Sequence, residues 1–237
     1  ERFASLCDEC GLSVPDILAD GSPTYSVSQR QLFVRHAGGV RHPVNLPEGV
    51  MRFSLTRRTL TPVSTNDAAS LFALEGNLRL IEFHSKANAL TDESMQIVAA
   101  AAKDHGAGII VHNDAQHFSA GVDLNAFRSM IEAQDWDSID GFLWRFQMAV
   151  KALKYVPVPV VGAPSGLGVG GGFEVLAHCD KLVVHSNSVL GLVESAVGVV
   201  PSGGGVKESY LRWYQQTGSW DEAAWKCWMI IGYGTTG

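Results

Sequence analysis

Two carboxylates set among glycine-rich turns, Glu174 and Glu194, carry the most chemical information in this chain. The first follows Pro164-Ser165-Gly166-Leu167-Gly168-Val169-Gly170-Gly171-Gly172-Phe173. The second closes Leu190-Gly191-Leu192-Val193 and precedes a further run, Pro201-Ser202-Gly203-Gly204-Gly205. A glycine run lets a backbone come close to a ligand because no Cβ stands in the way. A helix that begins there turns its first N–H groups toward the ligand and favours negative charge. Glu174 then lies about one helical turn past the middle glycine. Two carboxylates beside such a turn can add and remove protons around a carbonyl compound.

The elements that must hold these groups alternate between strand and helix patterns. Residues 78–83 read as a strand. Thr91 is an N-cap with Asp92 and Glu93 in the first turn of a helix that reaches about His105. Residues 108–112 form a buried strand, and Ile139, Phe142, Leu143, Phe146, Val150 and Leu153 mark one face of a long helix. Residues 159–163 are a strand feeding the glycine turn, 172–178 a helix and 182–185 a strand. Ser219 with Glu222 caps a last helix through Trp225 and Trp228. This order predicts an α/β fold. The first seventy residues differ. Residues 1–18 are a short helix broken at Pro15, residues 21–50 are loop or extended structure rich in Gly, Pro, Ser, Arg and His, and residues 51–63 alternate like a strand.

A length of 237 residues suits one good-sized domain, alone or with an appendage. Hydrophobic content of 46% with 18% charged residues is that of a soluble globular protein. A net charge of −6 argues against nucleic acid as a partner, though an acidic ligand needs only a local basic patch. Cys7 and Cys10 form a lone C-x-x-C. Cys179 and Cys227 do not supply the second pair that a zinc site needs, so no metal is expected. Reduced thiols and the absence of a signal peptide predict a reducing, cytoplasmic setting. Residues 156–173 are uncharged, but their prolines and glycines rule out a membrane span. The chain begins at Glu1 and stops at Thr235-Thr236-Gly237 just after an apolar segment, which reads as a fragment of something longer.

A further segment completes the pattern. His117-Phe118-Ser119-Ala120-Gly121-Val122-Asp123-Leu124 follows the apolar run 108–111, and a strand that breaks into such a turn supplies one more free backbone N–H. With the Asn88-Ala89-Leu90 turn, the triple glycine and both glutamates, it resembles the crotonase (enoyl-CoA hydratase/isomerase) superfamily from about Ala73 to about Trp213. The resemblance implies a crotonase-like spiral of ββα units over residues 71–237, C-terminally truncated, behind a poorly structured extension at residues 1–70. That extension also resembles the tail of a dehydrogenase domain fused ahead of a hydratase in fatty-acid oxidation enzymes. The implied substrate is an acyl-CoA thioester, with coenzyme A as part of the substrate and no separate cofactor. By motif position the N–H groups of Val122 and Gly171 polarise the thioester carbonyl, Glu174 handles the water and Glu194 the Cα proton. Ala120 and Leu124 lie where the adenine end of CoA makes contact. Lys86 is a candidate for a CoA phosphate and reads equally as a plain surface lysine. The implied activity is hydration of 2-enoyl-CoA in β-oxidation, a lyase reaction, with enoyl-CoA isomerisation as a side activity. The implied partners are a second copy in a homo-oligomer or a fused dehydrogenase.

Other readings compete. Gly166, Gly168 and Gly171 satisfy G-x-G-x-x-G, the dinucleotide-binding fingerprint, with Glu194 some twenty residues on. That reading leaves the 118–124 segment and the second glycine run unexplained. A non-catalytic acyl-CoA-binding module is a third. His178 reads as a packing group behind Glu174, His117 as a loop residue, and Asp123 as fixing its turn through local N–H groups.

Overall fold

A computed structural model describes residues 2–18, 21–28 and 31–232, which fall into two compact units divided between Thr61 and Pro62. Glu1 and residues 233–237, on which the reading of the chain ends rests, lie outside the described residues.

In the first unit, α1 (Arg2–Glu9) is followed by β1 (Tyr25–Ser28), β2 (Gln31–Arg35) and β3 (Arg41–Pro43), an antiparallel meander in that order. The Gly- and Pro-rich segment is thus extended and paired, with Arg41 donating to Ser26 Oγ across the sheet at 2.8 Å. Residues 51–63, which alternate like a strand, instead fold as α2 (Phe53–Thr56) and a 3₁₀ turn over Arg57–Thr59. The cause is local. Arg52 O accepts from the N–H groups of Leu55 and Thr56 and from Thr56 Oγ1, so the backbone is satisfied within one turn.

The second unit runs β4 (Ser64–Thr65), β5 (Ala69–Leu74), β6 (Leu78–Phe83), α3 (Asp92–Lys103), β7 (Gly108–His112), α4 (Leu124–Glu132) and α5 (Trp136–Lys154). It continues with β8 (Val160–Ala163), β9 (Leu167–Val169), α6 (Gly171–Ala177), β10 (Lys181–Leu182), β11 (Val189–Gly191), α7 (Gly205–Thr217) and α8 (Trp220–Gly232). Six strands make one sheet in the order β10-β8-β7-β6-β5-β4, parallel from β6 to β10 and antiparallel from β6 to β4. Because β4 and β5 pair into this sheet, the unit includes residues ahead of 71.

A smaller parallel layer repeats the same sequence of events. β9 pairs with β11, Ser119 bridges to Gly168 within β9, and Leu90 bridges to Val122. Each turn of the chain therefore places one strand in the large sheet, a short extended piece in the small layer, and then a helix. This is the ββα spiral.

Helix α3 starts at a reciprocal cap, Thr91 Oγ1 with the Ser94 N–H and Ser94 Oγ with the Thr91 N–H. Helix α5 buries Phe142, Phe146, Val150 and Leu153 in a core that also holds Ile81, Phe83, Val98, Val111 and Phe118. Among the described residues no helix is long and apolar enough to cross a membrane, and no three His, Cys, Asp or Glu side chains cluster as metal ligands would.

Candidate active site

The turn after β7 is held by a buried asparagine. Asn113 Oδ1 accepts from the Phe83 N–H at 2.7 Å and its Nδ2 donates to Phe118 O. Ser119 Oγ accepts from the Gly121 N–H at 3.1 Å, and Gly121 takes φ +93°, which favours glycine. The 86–90 turn docks on this one. Asn88 Nδ2 donates to His117 O, and the Ala120 N–H donates to Ala87 O. Leu90 pairs alongside by donating to Gly121 O at 2.8 Å and accepting from the Asp123 N–H at 3.1 Å. That bridge uses the amides on either side of Val122 and leaves the Val122 N–H out. Asp123 Oδ1 accepts from the Asn125 N–H and caps α4, as local side-chain bonding predicts.

The glycine turn comes next. The Gly170 N–H donates to Gly191 O at 3.0 Å, the last rung of the small layer. Gly170 then adopts φ 54°, ψ −129°, a region closed to residues with a side chain, and this reversal lets α6 begin at Gly171. As the first residue of the helix, Gly171 has no intrahelical acceptor for its N–H. A Cβ placed on Gly121 would lie 3.5 Å from Gly171 N, so the two turns that carry the candidate donors are in contact.

The glutamates exchange glycine runs relative to their order in sequence. Glu174 follows the first run, but its Oε1 accepts from Gly203 N–H at 2.8 Å and Gly205 N–H at 2.9 Å, at the N-terminus of α7. Glu194 precedes the second run, but its Oε1 is 3.5 Å from where a Cβ on Gly170 would stand, in the first. Its Oε2 is buried and has no hydrogen-bond partner. Both carboxylates line one cavity of about 430 Å³, together with Val122, Gly171, Ala120 and Leu124. Lys86 is exposed and does not line it, although its neighbour Ala87 carries the carbonyl that holds Ala120. The sequence alone missed the Gly203 and Gly205 donors and Asn113. A signal for the first existed in the glycine run itself, since a helix N-terminus is a carboxylate site.

Burial pushes the Glu174 carboxyl up to about 7, and the charge of Glu194 adds to it, while the amides of Gly205 and Gly203 oppose the rise. Burial also raises Glu194. Glu174 is 2% exposed, so the shift has a stability consequence. The native state binds this proton more tightly than the unfolded chain, so stability falls as pH rises from about 4.5 to about 7 and is flat above. Glu174→Gln keeps the acceptor oxygen and removes the charge. It is expected to raise stability at pH 8 by on the order of 3 kcal/mol, from about 1.36 kcal/mol per pH unit, with the gain fading by pH 4.5. Denaturant melts of both proteins at the two pH values check this; an equal difference at both would contradict it.

Both His178 and His117 bond to backbone groups. His178 lies behind Glu174, its Nδ1 2.7 Å from Glu174 O, so Nδ1 carries the proton. His117 Nδ1 accepts from the Leu167 N–H at 3.2 Å. The dinucleotide reading fails on the backbone. Gly168 sits within β9, paired with Leu190, so a strand interrupts the fingerprint and no continuous loop runs from Gly166 to the helix.

The pattern of the enoyl-CoA hydratase/isomerase family matches residues 75–215, which contain all of these groups. The chain belongs to the enoyl-CoA hydratase/isomerase family. Its fold matches those of family members in solved structures. An enoyl-CoA hydratase from Polaromonas sp. JS666 aligns at TM-score 0.61 and 18% identity over 75% of this chain and 64% of that one. One from Geobacillus kaustophilus aligns at TM-score 0.60 and 23% identity over 75% and 65%. Among curated relatives, a probable 3-hydroxyacyl-CoA dehydrogenase of Bacillus subtilis is 27% identical over 90% of this chain. A putative fatty acid oxidation complex trifunctional enzyme of Rickettsia felis is 31% identical over 63%. The chain spans 28% and 21% of those two proteins.

Proposed function

We propose that this member of the family hydrates 2-enoyl-CoA thioesters in fatty-acid β-oxidation. The observation that carries the reading is the single cavity shared by Glu174, Glu194, Val122 and Gly171. A thioester carbonyl set between the two turns would meet the N–H groups of Val122 and Gly171. These stabilise the enolate oxygen, each donor being worth about 3–4 kcal/mol in a prebuilt site. Glu174, fixed by two amides, orients the attacking water and takes its proton. Glu194, with one oxygen unpartnered, delivers the proton to Cα. The adenine end of CoA passes Ala120 and Leu124 at the cavity rim, with Lys86 beyond it. The unpartnered Glu194 oxygen also supports a second reading, since moving a proton between two carbons of a 3-enoyl-CoA needs only one base. The relatives' names support a dehydrogenase fused to this unit in the whole protein.

The test is turnover of crotonyl-CoA by the purified chain, beside thermal melts with acetyl-CoA or NAD. Hydration, with stabilisation by acetyl-CoA alone, is the expected result. Stabilisation by acetyl-CoA without turnover of 2- or 3-enoyl-CoA would favour a binding module. Stabilisation by NAD alone would overturn the reading.

A further inference from the structure

A charge cluster centred on the buried Glu208 stands behind Glu174. Glu208 is 3% exposed, an unusual fate for a carboxylate unless it is paired. Three groups meet it. Lys154 Nζ from the end of α5 is 2.6 Å from Oε2, Lys207 Nζ of its own helix is 2.9 Å from Oε1, and His178 Nε2 at the end of α6 is 3.6 Å from Oε1. Burial alone would raise the Glu208 carboxyl, but the hydrogen bond from Lys154 to Oε2 and the close ammonium of Lys207, an ion pair that leaves Oε1 without a hydrogen bond, outweigh it and hold it below the usual range. Glu208 is therefore an anion that joins α5, α6 and α7.

Its place along α7 matters. The Glu208 N–H donates to Gly204 O at 3.0 Å and closes the first helical turn. That turn supplies the Gly203 and Gly205 N–H groups to the Glu174 carboxylate. Gly204 takes φ +103°, and a Cβ there would stand 3.1 Å from His178 Cε1, so the turn is seated against the ring. The same ring, through Nδ1, holds the main-chain carbonyl of Glu174. One turn further, Arg212 donates to Ala177 O and Cys179 O and docks the rest of α7 independently.

We infer that Glu208 is a positioning residue: paired with Lys154 and facing His178, it holds the first turn of α7 so that two amides stay on the Glu174 carboxylate. This rests on the reading of Glu174 as the group that activates water. The amides stabilise the ionised form of Glu174, and the first turn of α7 is the part that moves when the clamp is lost. Arg212 keeps the rest of the helix in place.

The test is the pH profile of crotonyl-CoA hydration. The charged groups around the pair are Glu194 across the cavity from Glu174, and Lys154, Lys207 and His178 around Glu208. In Glu208→Gln, loss of the amides makes Glu174 harder to ionise, so the acid limb of kcat moves to higher pH. The expected kcat loss at neutral pH is about tenfold or more, with KM within about twofold, since no substrate contact changes. A purely electrostatic role has the opposite sign, because removing a nearby negative charge makes Glu174 easier to ionise and moves the limb to lower pH. A folded variant with an unmoved or lowered limb overturns the inference. If Glu208→Gln does not fold, the double variant Lys154→Met/Glu208→Met decides instead: it removes opposite charges together, so the field at Glu174 changes little, and a raised limb supports the clamp while an unmoved one overturns it. Glu174→Gln, run in parallel, separates the two failures. If it keeps full turnover, the reading of Glu174 is wrong. If it is inactive while the Glu208 single and double variants behave as wild type, only the clamp is wrong.

Discussion

Glu194→Gln is expected to lower kcat for hydration of crotonyl-CoA by about 10²–10⁴-fold, the usual range for a positioned acid–base group. Acetyl-CoA binding should change little. The side chain keeps its size, and the cavity keeps the contacts that a CoA ester would use. What is lost is the ability to carry a proton. In the wild type, Glu194 Oε2 is buried with no donor, and its other oxygen lies against the Gly170 turn. A carboxylate in that state binds protons more readily than one in water, and its pKa is raised by burial. On the proposed mechanism it would then give a proton to a carbon whose developing charge the neighbouring amides share. Two measurements check this: steady-state turnover, and calorimetric titration with acetyl-CoA. Turnover near wild type would remove Glu194 from the mechanism. Equal loss of binding and turnover would make it a binding residue.

Much of the fold was legible in the sequence, for identifiable reasons. Strands β6 and β7 and helices α3 and α5 carry strong periodicity or a clear cap, and the buried faces are those that the apolar spacing marks. That both glutamates and the first glycine turn would line one cavity was legible because a glycine run marks where a backbone can come close to a ligand. What could not be read was which run each carboxylate would meet. A seven-residue helix rotates Glu174 away from the glycines that precede it and toward Gly203 and Gly205, which are distant in sequence. Glu208 was hidden for a similar reason. Between Lys207 and Ser209 it reads as a solvated charge, and only the meeting of α5, α6 and α7 buries it. Residues 51–63 misled in the other direction, because alternation over a short window does not reveal hydrogen bonds that close within one turn.

Gly171→Ala is expected to cut kcat by about 10²–10³-fold, the cost of losing one oxyanion donor. The backbone itself would tolerate alanine. Gly171, unlike Gly170, does not occupy the left-handed region, so strain in φ is not the cause. The cause is contact. A Cβ there would lie 2.8 Å from Val122 Cγ2 and 3.5 Å from Phe146. The distance to Phe146 is an ordinary contact, so the clash is with Val122, whose one stiff rotor does not yield easily. The displacement then falls on the main chain of Val122 or of Gly171, which are the two candidate donors. Val122→Ala alone should be mild, because its N–H is kept and only a contact is lost. The double variant makes the account specific. With Cγ2 gone, the alanine at 171 has room, and kcat should recover most of the loss, giving a large favourable coupling in the double-mutant cycle. A double variant as slow as Gly171→Ala would mean that the new methyl obstructs the thioester itself rather than Val122. The reverse order of the single variants, with Val122→Ala crippling and Gly171→Ala harmless, would mean that the oxyanion is held by other groups.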